Sequence, residues 1–287
     1  MRPDRGAARH PYAEREIALL TQHGKERVIA PALDAALGCR VRRVGGFDTD
    51  QLGTFTRDIP RAGTQLDAAR KKARIGMEIA SLPVGLASEG AFGPDPFLGA
   101  LPWNTELVLL VDDLHGIEVV GMAQQATRFA HRLTGDWEAA RRFAEEAGFP
   151  AHHLVVRPAH QDDARIDKGI GDWAAFQAAF ARAVRYADNG LAFIEHDVRA
   201  HVHPTRRETI RLAAENLRDK LLSLCPDCGA PGFWLVEHIP GLPCADCGVP
   251  TREARAEVRG CLKCAHRETR EFAGISADPG RCDDCNP

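Results

Sequence analysis

Eight of the nine cysteines in this chain fall into four C-x-x-C pairs, and all four pairs lie after residue 224. Two thiolates three positions apart can hold one metal ion from a single tight turn, so this spacing is typical of zinc sites. Glycine follows Cys228 and Cys247, where such a turn favours it. The pattern therefore predicts two zinc ions, each bound by four cysteines. The eight predicted ligands are Cys225, Cys228, Cys244, Cys247, Cys261, Cys264, Cys282 and Cys285.

The order of the pairs leaves two ways of sharing the zinc ions. The spacings C-x2-C-x15-C-x2-C and C-x2-C-x17-C-x2-C each fit a zinc ribbon, so we expect consecutive pairs to act together in two tandem ribbons. A cross-brace, in which alternate pairs act together, stays open. Disulfides and redox-active pairs are disfavoured because the N-terminus carries no secretion signal. Four thiolates leave no open coordination position for water, so both ions are expected to be structural.

Composition and charge narrow the classes of partner. The chain of 287 residues is 44% hydrophobic and 27% charged, which is typical of a globular protein with one large and one small domain. The net charge is −3, and residues 223–287 hold seven basic against ten acidic residues, so nucleic-acid binding is disfavoured. No apolar run approaches membrane-spanning length. We expect a cytoplasmic protein without a membrane partner, whose zinc region contacts a protein partner, forms a homo-oligomer or acts as a lid.

Strand and helix patterns alternate as far as residue 222. The apolar strand 17–21 precedes a helix that ends at Gly38, and a second helix covers 64–80. The short buried strand 81–88 follows, and then a hairpin over 105–123. The remaining predicted segments are helices at about 124–133 and 136–147, the strand 152–158, the helix 171–189, the strand 191–198 and a last helix that begins with a capping box between Thr205 and Glu208.

This alternation predicts an α/β fold. We expect a layered domain with a mixed β-sheet flanked by helices, plus a small C-terminal four-cysteine zinc-ribbon module. The predicted boundaries are a disordered leader at 1–16, the α/β domain at 17–222 and a double zinc-ribbon module at 223–287.

The stretch "ASEGAFGPDP" places Glu89 directly after the buried strand 81–88. Ligands of α/β sheets often bind at the carboxyl ends of strands, so a carboxylate at this point is a candidate site residue. Gly90 lets the backbone turn and lets a ligand approach closely. The alternative is a surface glutamate in a turn, which is common in proteins. The pattern predicts that Glu89 faces a ligand at the edge of the sheet.

Basic residues stand in or next to three predicted helices. Lys25, in the loop "TQHGKE", precedes a helix whose amide N–H groups and dipole would join its ammonium group in binding an anion. Lys72 follows Asp67 in "DAARKKA", where an exposed ion-paired face is the alternative. Arg206 and Arg207 lie in a first helical turn, where the dipole disfavours cations unless an anion binds or solvent screens them. These residues form a candidate phosphate site.

The order of these segments resembles the inosine triphosphate pyrophosphatase-like superfamily, which includes the non-canonical purine NTP phosphatases. The segments "TQHGK", "TQLDAARKKAR" and "VGLASEGAF" resemble the first-strand loop, the helix motif and the acidic strand end of that superfamily. "ELVLLVDDLHGIEVVGMA" resembles the hairpin that follows, and "HPTRRETIRLA" resembles the motif before the last helix. The resemblance covers roughly residues 17–120 and 201–222. The whole arrangement, with its zinc region, is also similar to an uncharacterised bacterial protein family.

The resemblance implies a metal-dependent hydrolase that releases pyrophosphate from a nucleoside triphosphate or a related phosphoanhydride. Asp67 and Glu89 would hold Mg²⁺ or Mn²⁺, or Glu89 would act as the base for the attacking water. Lys72 would complete the catalytic set. The implied phosphate-binding residues are Lys25, Arg206, Arg207 and Gly90.

Two other functions stay open. The stretch "EHDVRAHVHP" crowds histidines, and an H-x-H pattern on a strand points both imidazoles to one face, so a metallohydrolase could use His196, His201 and His203. Alternatively, the α/β domain only binds a nucleotide or phosphate, and the zinc region binds a partner. The substitution Glu89→Gln separates an enzyme, which loses turnover, from a binding protein, which keeps its affinity.

Overall fold

The first sheet of the protein carries the candidate site. The structure, a computed structural model, describes residues 9–49 and 63–287. The sheet consists of five strands in the order β2-β1-β3-β4-β5, and β1 runs parallel to β2 and β3 while β3, β4 and β5 are antiparallel neighbours. Its strands are β1 (Glu16–Leu20), β2 (Arg40–Val44), β3 (Val84–Pro94), β4 (Pro102–Asp112) and β5 (Ile117–Ala126).

Helices cover both faces of this sheet. α1 (Glu26–Leu37) and α5 (Pro204–Leu222) share an apolar core with one face, to which β3 contributes Leu86. α2 (Gln65–Ala80) shares a smaller core with the other face, to which β3 contributes Ala87. The predicted layered α/β domain with a mixed sheet flanked by helices is therefore confirmed.

A second sheet occupies the stretch between β5 and α5. Its four strands have the order β6-β9-β7-β8, and two helices pack on one face around a separate apolar core. The elements are β6 (His131–Thr134), α3 (Trp137–Glu146), β7 (Leu154–Pro158), β8 (Asp167–Ile170), α4 (Trp173–Tyr186) and β9 (Ala192–His196). The helix predicted at about 124–133 is wrong, because β5 pairs with β4 as far as Ala126 and β6 pairs with β9.

The C-terminal region is a three-stranded antiparallel sheet in the order β10-β11-β12. Its strands are β10 (Trp234–Pro240), β11 (Ala254–Gly260) and β12 (Arg267–Glu271). Within residues 9–49 and 63–287, none of the helices is both long enough and apolar enough to cross a membrane.

Helix ends follow local chemistry, with one difference from the prediction. α1 ends at Gly38, whose φ is 67°, and α2 begins with a capping box between Thr64 and Asp67. The start of α5 predicted at Thr205 is wrong. The cap is His203, whose ring accepts the Arg206 N–H, because Pro204 has a φ suited to the first helical position and no N–H to satisfy.

The side chains of Tyr12 and His10 help to hold the N-terminal segment in place. Tyr12 is buried, and its hydroxyl donates to Asp112 at 2.7 Å. The His10 ring lies 2.9 Å from the Leu221 carbonyl oxygen. Residues 9–16 therefore pack against the first sheet and do not form the disordered leader expected there, whereas residues 1–8 of that leader lie outside the described residues.

Candidate functional site

The cysteine pairs form a cross-brace. One cluster contains Cys225, Cys228, Cys261 and Cys264, and the other contains Cys244, Cys247, Cys282 and Cys285. In each cluster the ligand atoms lie within 4.8 Å of one another. The predicted grouping of the eight cysteines into two sets of four is confirmed, and the tandem arrangement of consecutive pairs is wrong.

The number of strands between the pairs explains the cross-brace. A single strand, β10, leads from the first pair to the second, and a single strand, β11, leads from the second pair to the third. Each antiparallel strand carries the chain to the opposite end of the sheet, so the first and third pairs meet at one end and the second and fourth at the other. A ribbon built from consecutive pairs would need the chain to return to its starting end.

The sulfur geometry fits zinc. The distance from Cys225 Sγ to Cys264 Sγ is 3.8 Å, and that from Cys228 Sγ to Cys261 Sγ is 3.6 Å. The second cluster repeats these two distances. A tetrahedron with Zn–S bonds of about 2.3 Å has edges of about 3.8 Å, whereas a disulfide would bring two sulfurs to about 2.0 Å. Each cluster therefore suits one structural zinc ion.

A separate cluster of charged side chains lies where β1 ends in the first sheet. β1 pairs with β3 at Gly85 and Leu86 and stops at Leu20, while β3 continues to Pro94. Beyond Leu86, β3 pairs with β4 but no longer with β1. Lys25, at the start of α1, lies beside this edge of β3, and its Nζ donates to the Ser88 carbonyl oxygen at 2.7 Å. Glu89 thus lies within a long strand and not at its end, but it does lie beyond the carboxyl end of the neighbouring parallel strand.

Glu89 lies on the face of the sheet that α2 covers. Its carboxylate forms an ion pair with the Lys72 ammonium, and both side chains are largely enclosed. Gln65, in the first turn of α2, donates to the Glu89 carbonyl oxygen at 2.7 Å. The predicted pair of Glu89 and Lys72 is therefore brought together, and α2 aligns both the strand and the carboxylate.

Arg206 lies on the opposite face, beside α5. Its Nε donates to Glu106 Oε1 at 2.7 Å and its Nη1 to the Val198 carbonyl oxygen at 2.5 Å. Gly90 makes this pair sterically feasible, because a Cβ there would lie 2.1 Å from Glu106 Oε1 and 2.7 Å from Arg206 Nη2. The predicted Gly90 and Arg206 thus belong to one buried assembly.

The surroundings of Lys25 change its protonation. Burial, reinforced by the Arg206 guanidinium, lowers the pKa of Lys25 to about 7, although Glu106 and Glu89 oppose the shift. Burial also lowers the pKa of His23 to about 4, with a further contribution from the His201 ring stacked on it at 5.1 Å. Near neutral pH the His23 ring is therefore uncharged, and Lys25 is poised between its two forms.

Two predicted site residues have other roles. Asp67 is exposed, and its carboxylate accepts hydrogen bonds from the Thr64 N–H and hydroxyl and from Arg70. These bonds to Thr64 lower the pKa of Asp67. Arg207 donates to the His201 carbonyl oxygen at 2.8 Å. Asp67 is a helix-capping residue, and Arg207 lies at the rim of the cluster beside His201.

The histidines of "EHDVRAHVHP" do not converge on a metal. Both ring nitrogens of His196 lie against backbone groups of Ala130 and Ala147, and those of His203 against Arg206 N–H and the Arg128 carbonyl. His201 lies in a 3₁₀ turn, not on a strand, and stacks on His23. In the part of the chain that the structure describes, the groups of three or more His, Cys, Asp or Glu that could share an ion are the two cysteine clusters.

Glu106 and Ser88 are the members of the cluster that the sequence interpretation missed. Glu106 is completely buried and stands in β4 opposite Gly90. In the sequence, Glu106 is visible only as a charged residue at the start of the apolar run "ELVLLV". That run has the pattern of an ordinary hairpin strand. Ser88 precedes Glu89 and gains significance only through its contact with Lys25.

Comparison with known proteins identifies a family. The model of a domain of unknown function, DUF6671, matches residues 72–287, about three quarters of the chain. The chain belongs to this family. The matched DUF6671 region includes Lys72, Glu89, Glu106 and Arg206 as well as all eight zinc cysteines. No curated protein and no solved structure matches the chain.

Proposed function

We propose that the protein binds the phosphate chain of a nucleoside triphosphate or a related phosphoanhydride beside the end of β1 and hydrolyses it, releasing pyrophosphate. The observation that carries this proposal is the convergence of three cationic side chains from three helices. Lys25 comes from the start of α1, Lys72 from α2 and Arg206 from α5. Arg206 and Lys72 lie close enough to Lys25 for both to lower its pKa. Such a set suits a polyanion, because negative charge develops on its leaving oxygen during the transfer.

The two carboxylates give the site its chemistry. Glu106 holds Arg206 in place and balances its charge in the core. Glu89, on the opposite face, is the proposed base or orienting group for water, and Lys72 aligns its carboxylate. Asp67 has no part in this proposal, because the capping box occupies its carboxylate.

The donor set does not fit a Mg²⁺ or Mn²⁺ ion held by the protein alone. Glu89 is ion-paired with Lys72, and among the described residues neither Glu89 nor Asp67 belongs to a group of three or more His, Cys, Asp or Glu side chains that could share an ion. Mg²⁺ is usually held by one or two carboxylates together with substrate phosphates. The proposed hydrolysis therefore uses the chain's own cations, and Mg²⁺ enters as the counter-ion of the nucleotide.

The test is pyrophosphate release from standard and deaminated nucleoside triphosphates with Mg²⁺ present. The wild-type protein should release pyrophosphate, and Glu89→Gln should slow release roughly 100-fold or more while nucleotide affinity persists. Glu78→Gln is the matched control, because Glu78 is an exposed glutamate of α2. Lys72→Met should impair release, and Lys71→Met, at the adjacent exposed lysine, should not. Absence of release from folded protein with about two zinc ions bound would overturn the proposal.

A binding protein without turnover is the second candidate. It is favoured by the enclosure of Glu89, whose side chain is 4% exposed and already neutralised by Lys72. On this proposal the wild-type protein binds nucleotide with no turnover, and Glu89→Gln keeps that affinity. Equilibrium binding measured beside the release assay separates the two candidates.

The zinc module is proposed to contact a protein partner or a second copy of the chain. Its excess of acidic residues, increased by eight zinc-bound thiolates, disfavours nucleic acid. None of the nine cysteines forms a disulfide, which suits a reducing compartment, so the cytoplasm is the proposed location. Size-exclusion chromatography with light scattering before and after zinc removal tests self-association.

A further inference from the structure

A serine hydroxyl and a lysine amine lie side by side in the charged cluster. Lys25 Nζ is 3.3 Å from Ser88 Oγ, and its bond to the Ser88 carbonyl oxygen fixes it there at 2.7 Å. Lys25 is 8% exposed and Ser88 is 4% exposed, so the pair is shielded from bulk water. A serine hydroxyl is a weak nucleophile until a neighbouring base removes its proton, and a neutral lysine can serve as that base.

The environment of Lys25 makes its neutral form accessible near neutral pH. Burial and the nearby Arg206 lower the pKa of Lys25 to about 7, so a large fraction of the amine is unprotonated at neutral pH. The amine is fixed by a carbonyl oxygen and not by a carboxylate, which would have held its proton. The charged and titratable groups that face it from the surrounding elements are Arg206 on α5, Glu106 on β4, Glu89 on β3, Lys72 on α2 and His23 in its own loop.

Charge stabilisation is available on the same face of the sheet. Ser88 and Gly90 alternate with Glu89 along β3, so they share the side on which Arg206 lies. Gly90 leaves no side chain between β3 and the guanidinium. A phosphoryl group that approached Ser88 would therefore meet the buried positive charge of Arg206.

We infer that Ser88 is a nucleophile, activated by Lys25, that takes the nucleoside monophosphoryl group from a bound nucleoside triphosphate. This inference rests on the proposed function for its phosphoryl donor. The neutral Lys25 amine takes the Ser88 proton as Oγ bonds to the α-phosphorus of a nucleoside triphosphate. The bond from that phosphorus to the bridging oxygen breaks, and pyrophosphate leaves with the proton from Lys25. Water then attacks the same phosphorus, releasing the nucleoside monophosphate and returning a proton to Ser88 through Lys25.

The experiment uses a fluorophosphonate, so it does not depend on which nucleotide the protein accepts. An activated serine forms a P–O bond with this reagent as fluoride leaves, and mass spectrometry of peptides locates the adduct. In zinc-loaded full-length protein we expect labelling at Ser88, with a rate that rises as pH increases through about 7, where Lys25 loses its proton. Ser88→Ala should abolish the adduct.

Two lysine variants separate base chemistry from charge. Lys25→Met and Lys25→Arg should each slow labelling roughly 100-fold, because neither side chain can accept the proton, although arginine keeps the charge. Lys71→Met is the matched control and should label like the wild type. Absence of an adduct in folded wild-type protein, or equal labelling in Lys25→Arg, overturns the inference. Pyrophosphate release that survives Ser88→Ala also overturns it and leaves the proposed function intact.

Discussion

The Arg206 guanidinium and the Glu106 carboxylate form a buried ion pair, with Nε and Oε1 2.7 Å apart and side-chain exposures of 2% and 0%. The pair joins the first turn of α5 to the middle of the first sheet. Partners 100 positions apart in the chain are thereby fixed beside Lys25. Because both charges are removed from water, each depends on the other for compensation.

Removing one member of this pair should destabilise the fold strongly. Arg206→Met leaves the Glu106 carboxylate buried without its ion-pair partner, so the free energy of unfolding should fall by about 3–5 kcal/mol. The double variant Arg206→Met with Glu106→Leu should recover much of that loss. Arg211→Met is the control, because Arg211 pairs with Glu208 on the exposed side of the same helix and should cost about 1 kcal/mol or less. Urea denaturation measures the stability of the two single variants and the double variant. Equal losses for Arg206→Met and Arg211→Met would contradict the prediction.

Two glycines of β3 provide a second matched test. Gly90→Ala places a Cβ 2.1 Å from Glu106 Oε1, so the ion pair must shift and the protein should lose about 1–3 kcal/mol of stability. A Cβ at Gly93 has no atom within 4 Å, so Gly93→Ala should change stability by about 0.5 kcal/mol or less. Thermal unfolding compares the two, and a Gly90→Ala protein as stable as Gly93→Ala would show that the pair is not tightly packed.

Local patterns were enough to predict the zinc ligands and the main layers, and non-local geometry explains the differences. The C-x-x-C spacing acts within one turn, so the eight cysteines could be read directly from the chain, whereas the pairing depends on how many strands separate the turns. Lys25, Lys72 and Glu89 were predicted separately, and only the arrangement of β1, α2 and β3 brings them together. Glu106 was missed because it stands at the start of an apolar strand. Asp67 was predicted as a metal ligand, and its carboxylate is seen capping α2, a role that looks the same as that of a ligand in sequence. The short strands β6 and β8 carry too little periodicity to be distinguished from neighbouring helices or loops.

Anion binding should depend on pH through Lys25. The lowered pKa means that the amine is charged below about pH 7 and neutral above it, so affinity for an anion should fall as pH rises through that value. Sulfate is a suitable probe because its charge is constant over this range, and the His23 pKa of about 4 keeps that ring neutral. Between pH 6 and 8.5 we expect sulfate affinity, measured by calorimetry, to fall by roughly an order of magnitude.

The variant Lys25→Arg isolates the contribution of this amine. Arginine stays protonated throughout the range, so the pH dependence of sulfate binding should flatten while affinity at low pH persists. Lys71→Met should leave the wild-type profile unchanged, because Lys71 is exposed on the outer side of α2. An unchanged slope in Lys25→Arg would assign the titration to another group.

The cross-brace makes a prediction about zinc content that is opposite to that of tandem ribbons. Cys225 and Cys264 belong to one cluster, so the double variant Cys225→Ser with Cys264→Ser should disable one site and retain about one zinc ion per chain. Cys225 and Cys244 belong to different clusters, so Cys225→Ser with Cys244→Ser should weaken both sites. Tandem ribbons reverse the two outcomes, because Cys225 and Cys244 would then share an ion. Zinc quantified after dialysis against a weak chelator, with Cys39→Ser as the control for a cysteine outside both clusters, distinguishes the two arrangements directly.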